Sequence, residues 1–296
     1  MENSDTKSKK IPKVSVIVPV CNAGAGLQRT LESLSAQRLD EFEVICIDNA
    51  STDDSAAILQ RHAARDPRLR IITCTTPGSR GGARNAGMLA ARGHYLFFVN
   101  PGDVIDSNCC RWLYDAADRF KADMACCSLR RERPSRASWA VHYTEERWCA
   151  DLASRYEAAN CPPVVDVVNK IFRRSWIKRW RYQFPDRSDY EDVVFVMRAL
   201  ATANRLVVVP EILYCQADRG EPAGRHRRRE MEQARYEALH DFVRFADRAG
   251  VPLTSDQRLI LVRSYRLFGW KLLTEKEFGP YRAWYLFDFI PIWRTV

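Results

Sequence analysis

Between residues 14 and 129, short β-branched runs alternate with segments whose apolar residues recur at helical spacing, which restricts the chain to few architectures. VSVIVPV, residues 14–20, is a near-continuous apolar run suited to a parallel strand covered on both faces. Leu27, Leu31 and Leu34 then recur at helical spacing. A second strand is expected over residues 42–47, and Ser51, Asp53 and Asp54 open a helix through Ile58 and Leu59. A third strand at 69–74 is broken by Pro77-Gly78, and a small-residue helix at 83–91 leads to a fourth strand at 95–99. Helix at 112–120 and strand at 124–129 continue the rhythm. This alternation predicts an α/β fold with a doubly wound parallel sheet and ligands at the carboxyl ends of its strands.

After residue 131 the pattern is irregular to Pro163, and core-like patterning resumes at 164–180 and 189–203. A strand at 206–213 is interrupted by Pro210, and 216–230 read as a polar loop containing Arg225-His226-Arg227-Arg228-Arg229. The remainder reads as helix to Thr274, followed by an aromatic, basic tail over 281–293. The expected organisation is a disordered basic tail at 1–12, a sheet domain at 13–216, and a basic loop with a helical, aromatic region at 217–296. There is no internal repeat.

The net charge of +9 points to an anionic partner: nucleotide phosphates, an acidic membrane surface or nucleic acid. Nucleic acid is set aside, because neither zinc-finger spacing nor an RNP-type strand is present. No apolar run reaches the roughly 18 residues of a membrane-spanning helix. The basic start followed by VSVIVPV mimics a signal peptide, but the run is short, contains Pro19 and leads into a strand–helix pattern. The ten cysteines form no C-x-x-C pair, so reduced, buried thiols in a cytoplasmic protein are expected.

Winding the sheet as proposed brings four strand ends together: 19–22, 48–53, the loop 78–84, and the turn Asn100-Pro101-Gly102-Asp103. Asp48 is placed to accept from a uracil imide or a ribose hydroxyl, or else is a turn former. Arg84 and exposed amides are placed to approach a diphosphate, with Gly81 and Gly82 permitting close backbone contact. Asp103 is a lone acid where a divalent cation prefers two. GARNAGML, residues 82–89, has the P-loop glycines but Met88-Leu89 in place of Lys-Ser/Thr, which rules a P-loop out. GAGLQR, residues 24–29, lacks the third glycine of a dinucleotide fingerprint. Further on, Ser188-x-x-Glu191 reads as a capping box. Asp192 beside it is a candidate general base facing the sheet edge.

VSVIVPVCNAGAGLQRTLESLSAQ, IDNASTDDS and GGARNAGMLAARGHYLFFVNPGD, followed in order by VNKIFRRSWI, FPDRSDYEDVVF and PEILYCQ, resemble the family-2 glycosyltransferases over residues 14–216. The resemblance implies a GT-A-type mixed, mainly parallel sheet with a helical C-terminal extension. It also implies inverting transfer of a sugar from a nucleotide diphosphate-sugar, commonly a UDP-sugar, to an acceptor hydroxyl. Pro19, Val20 and Asn22 match the first nucleotide-contact segment, Asp48 the uracil-binding acid, Arg84 the basic residue of the glycine-rich segment, and Asp192 the catalytic base. Asn100 to Asp103 fall on the metal turn, with Asn100 suited to a ribose hydroxyl and Asp103 to Mg²⁺ or Mn²⁺.

Three positions depart from the family pattern: Asn49, Asn100 and Gly102 stand where acids are common. The expectation is a metal site of one carboxylate completed by substrate phosphates, which binds metal weakly without nucleotide. The expected role is surface polysaccharide or glycolipid assembly, with a saccharide or lipid-linked acceptor and an anionic membrane face as a candidate docking surface. The contrasting class is a non-catalytic nucleotide-sugar-binding or scaffold protein with a degenerate metal site. Oligomeric state, donor sugar and acceptor are not legible in these residues.

Overall fold

The computed structural model describes residues 10–132, 139–158, 166–187, 189–218, 225–254, 258–267, 270–278, 281–287 and 290–295. Ten strands form the main sheet: β1 (Val14–Val20), β2 (Phe42–Asn49), β3 (Leu69–Cys74), β4 (Tyr95–Phe98), β5 (Val104–Ile105), β6 (Met124–Arg131), β7 (Trp139–Val141), β8 (Arg147–Cys149), β9 (Lys170–Arg173) and β10 (Leu206–Gln216). Among the described residues eight helices accompany them: α1 (Gly24–Ser35), α2 (Ser55–Ala63), α3 (Arg80–Ala90), α4 (Cys109–Arg119), α5 (Leu152–Ala158), α6 (Arg174–Trp180), α7 (Glu191–Thr202) and α8 (Arg225–Ala249).

The sheet order is β3-β2-β1-β4-β9-β6-β10-β5, with β7 on β6 and β8 on β10. The β3-β2-β1-β4 portion is parallel throughout. β9 enters antiparallel between β4 and β6, and β10 is again parallel to β6. The fold is therefore the expected mixed, mainly parallel α/β sheet. Every residue of β1 and β2 is buried, as befits strands covered on both faces. α3 lies hard on β1: a Cβ on Gly87 would come within 2.4 Å of Ile17 Cγ2. The nine described cysteines are free thiols, and burial alone pushes the Cys46 thiol up to about 12.

The chain leaves β1 toward β2 and β3 on one side, and β4 lies on the other. Loops after β1 and β4 thus part at their carboxyl ends, which is where an open α/β sheet makes its crevice.

The C-terminal region departs from the expected helix. α8 supplies the helical part and packs on α7, but it begins at Arg225, inside the expected polar loop, and stops at Ala249. Gly250 follows with φ +67, a left-handed stop that suits glycine. An antiparallel sheet then runs in the order β11 (Leu259–Leu267), β12 (Trp270–Phe278), β13 (Tyr281–Leu286), β14 (Ile290–Thr295). Buried polar side chains mislead the periodicity here. Glu277 of β12 is buried because it accepts hydrogen bonds from Tyr236 Oη (2.7 Å) and pairs with His240 Nε2 (2.8 Å), both on α8.

Candidate active site

A cleft of about 370 Å³ opens at the carboxyl ends of β1, β2 and β4. Pro19, Val20, Cys21 and Ala23 line it from the β1 end and Asn49 from β2. Gly78, Arg80 and Ala83 face it from the α3 segment, and Asn100 and Pro101 from the turn after β4. Of the residues expected at a nucleotide site, Pro19, Val20 and Asn100 are therefore in the lining. Asn22 braces the rim: its backbone has φ 48, and its Oδ1 accepts from the Thr52 N–H at 2.8 Å. Asn49 pairs reciprocally with the backbone of Gly78, donating from Nδ2 to the carbonyl (2.7 Å) and accepting the N–H at Oδ1 (2.9 Å). An amide does this where a carboxylate cannot, since only an amide both donates and accepts.

Asp48 and Arg84 sit differently from expectation. Asp48 is 4% exposed and accepts from the Ser51 N–H at 3.1 Å, the turn-forming alternative, and it is not among the cleft-lining residues. Arg84 is wholly buried below the cleft. Its Nη1 donates to Glu191 Oε1 at 2.6 Å and its Nη2 to Asn100 Oδ1 at 2.9 Å, with the guanidinium over the Phe184 ring. Arg84 is thus a strut joining the β4 turn to α7, with no route to a diphosphate in this conformation. Burial pushes the Arg84 guanidinium down from its ordinary value, against the opposing pull of Asp192 and Glu191. For Glu191, burial and then the Asp192 carboxylate push the carboxyl up, and Arg84 and Arg80 oppose this.

Among the described residues the basic side chain that does reach the cleft is Arg80, one helical turn before Arg84. It is 41% exposed, with its Nε 3.7 Å from Glu191 Oε1. Spacing alone puts both arginines on one face of α3, and only the packing of 184–187 decides which is covered.

That packing brings the distant acidic segment to the site. Asn85 exchanges two hydrogen bonds of 2.9 Å with the backbone of Phe184. Gly81 N–H donates to the Arg187 carbonyl at 3.1 Å, and Ser79 Oγ donates to Asp186 Oδ1 at 2.5 Å. Gly81 is required for this approach: a Cβ there would lie 1.9 Å from the Pro185 carbonyl oxygen. Gly81 therefore serves backbone contact with this segment. α7 then starts at Glu191, after Tyr190 in a left-handed conformation (φ 54), and Asp192 is half-buried in its first turn. Ser188, the expected cap, lies outside the described residues, and Glu191 is turned to Arg84. Asp192 Oδ1 accepts from the Val193 N–H at 3.0 Å.

The glycosyl transferase family 2 model matches residues 15–181, more than half of the chain. The chain belongs to glycosyl transferase family 2. EpsJ of Bacillus subtilis, an uncharacterized glycosyltransferase, is 28% identical over 209 residues, covering 69% of this chain and 60% of EpsJ. This family-2 chain thus spans about three-fifths of the length of such a relative. The crystal structure of Staphylococcus aureus TarS residues 1–349 superimposes with a TM-score of 0.67 at 24% identity, covering 82% of this chain and 67% of that one. The same fragment in complex with UDP-GlcNAc superimposes with a TM-score of 0.65 at 22% identity, covering 77% and 66%.

The metal expected in a family-2 site of this kind does not fit the side chains present. Asp103, the expected ligand, is fully buried. Its Oδ2 accepts from Tyr214 Oη at 2.6 Å and its Oδ1 from the Ala217 N–H at 3.0 Å, so each oxygen already serves a protein donor and the side chain presents no exposed surface to the cleft. Thr30 Oγ1 ties the same turn to α1, donating to the Asp103 carbonyl at 2.8 Å and accepting from the Gly102 N–H at 2.9 Å. Gly102 has φ +93, a conformation that favours glycine over an acid. Among the described residues no group of three His, Cys, Asp or Glu is placed to hold a cation. In the basic cluster, His226 is an exposed residue of α8 paired with Glu230, and Arg227 pairs with Asp189.

Asp103→Ala is accordingly expected to cost about 2–4 kcal/mol of stability, because the Tyr214 hydroxyl and the Ala217 N–H lose their buried acceptor. Urea unfolding of the variant measures this. A loss below about 0.5 kcal/mol would show that the carboxylate is not the staple it is taken to be.

Proposed function

We propose that this chain transfers a sugar from a nucleoside diphosphate-sugar, with a UDP-sugar as first candidate, to an acceptor hydroxyl with inversion. The observation that carries this reading is the clamp between α3 and residues 184–187. It brings residues 184–187, just upstream of α7 and Asp192 and far downstream of the β4 turn, against the α3 segment that lines the crevice at the switch point of the sheet. In the proposed step the acceptor oxygen attacks the anomeric carbon from the face opposite the diphosphate, and Asp192 takes its proton. The bond from the anomeric carbon to the diphosphate oxygen breaks, and the nucleoside diphosphate departs with the electron pair. The UDP-GlcNAc complex of TarS supports the choice of a uridine donor.

Assembly of a polysaccharide or glycolipid is the proposed setting, with a saccharide or lipid-linked acceptor. A lipid-carried acceptor is supported by Trp270, Leu272, Phe287, Ile290 and Ile292, which are exposed on the C-terminal sheet and are of a type that suits a membrane interface. No helix among the described residues is long and apolar enough to cross a membrane.

Thermal unfolding with UDP, GDP and dTDP in parallel tests the donor site. A nucleotide present at about a hundred times its Kd stabilises the fold by about 2.7 kcal/mol, a rise of several degrees in Tm. UDP is expected to give the largest rise, and a flat Tm with all three would contradict the reading.

A further inference from the structure

We propose that the donor diphosphate is held without a divalent cation, its charge being met by Arg80 at the amino end of α3. The inference rests on the transferase reading above and concerns how the same cleft binds its anion.

A diphosphate in this cleft needs positive charge, and neither the turn expected to hold a cation nor Arg84 is placed to bring it. Asp103 is fully buried and engaged through both oxygens, and Gly102 offers no side chain. Asn100 Oδ1 already accepts from Arg84, which is itself wholly buried. Among the described residues Arg80 is the arginine or lysine that lines the cleft, and its side chain is 41% exposed. It occupies the first position of α3, where the helix dipole adds to its charge.

Glu191 does not depend on Arg80 for its charge partner. The contact of Arg80 with Glu191 is long, 3.7 Å, whereas Arg84 holds the same oxygen at 2.6 Å. When Arg80 swings to a phosphate, Glu191 keeps its short bond to Arg84, so no buried carboxylate is stranded. A guanidinium stays protonated throughout and offers paired donors to phosphate oxygens, so it can follow the charge onto the leaving diphosphate without releasing a proton.

Calorimetric titration of UDP, GDP, dTDP and uridine, with EDTA or with Mn²⁺, into wild type, Arg80→Ala and Arg80→Lys tests this. The best nucleoside diphosphate is expected to bind wild type with affinities that agree within about threefold between EDTA and Mn²⁺. Arg80→Ala should weaken it about ten- to a hundredfold while leaving uridine binding and Tm unchanged, and Arg80→Lys should recover part of the loss. Tightening by Mn²⁺ beyond about threefold overturns the proposal whatever the variants do. So does an Arg80→Ala affinity within about threefold of wild type. In both cases the transferase reading stands. If no nucleoside diphosphate binds with or without Mn²⁺, both fall together.

Discussion

Asp192→Asn is expected to lower sugar transfer by about three orders of magnitude and to leave nucleotide affinity close to wild type. Asparagine keeps the shape of the side chain but cannot take a proton from the acceptor hydroxyl, so the loss falls on the chemical step. The position supports that assignment. Asp192 is half-buried in the first turn of α7, and with Glu191 it is one of the carboxylates whose charge acts on the buried Arg84. Release of nucleoside diphosphate followed with and without acceptor measures the effect. Turnover of Asp192→Asn within about tenfold of wild type would place the base elsewhere. A wild-type protein that binds donor and transfers nothing to any acceptor would favour the non-catalytic alternative.

Glu191→Ala is expected to cost about 3–5 kcal/mol of folding stability, among the largest losses available to a single substitution here. Glu191 is 1% exposed and Arg84 0%, and their 2.6 Å contact has no solvent to replace it. Arg84 would keep only Asn100 as a direct hydrogen-bond partner, with its buried Nε already lacking one. The damage extends to the site, because Arg84 ties the Asn100 turn to the start of α7. Glu191→Gln keeps an acceptor and should lose less than the alanine variant. Urea unfolding of both variants decides the matter, and a loss under about 1 kcal/mol in Glu191→Ala would contradict the strut.

The parts of this fold that were legible in the sequence are those whose signal is local. β1, β2 and β4 are largely apolar runs buried along their whole length, as strands covered by helices on both faces should be. Strands of two or three residues, such as β5, β7 and β8, carry too few side chains to show a period. In β11 to β14 the decisive contacts are cross-strand pairs and contacts to α8, which a linear pattern does not display.

The site follows the same division. Asn100, Pro19 and Val20 could be placed because strand ends converge by topology. Arg84 and Arg80 differ by one helical turn, so their fates were exchanged by the packing of Phe184 and its neighbours, a hundred residues on in sequence. Asp103 looked like a ligand because a lone acid at a strand end has no local partner. Its partner is Tyr214, 111 residues away. Asn49 likewise replaces an acid for a reason visible only once Gly78 is beside it.

Photolabelling with the azido analogue of whichever nucleoside diphosphate raises Tm most, followed by peptide mapping, locates the donor directly. Label is expected on peptides containing residues 19–23, 49–52 or 78–101, which surround the cleft between β1, β2 and β4. Label confined to the separate polar cleft lined by Arg187, Tyr236, His240, Arg244 and Arg282 would contradict the placement of the site.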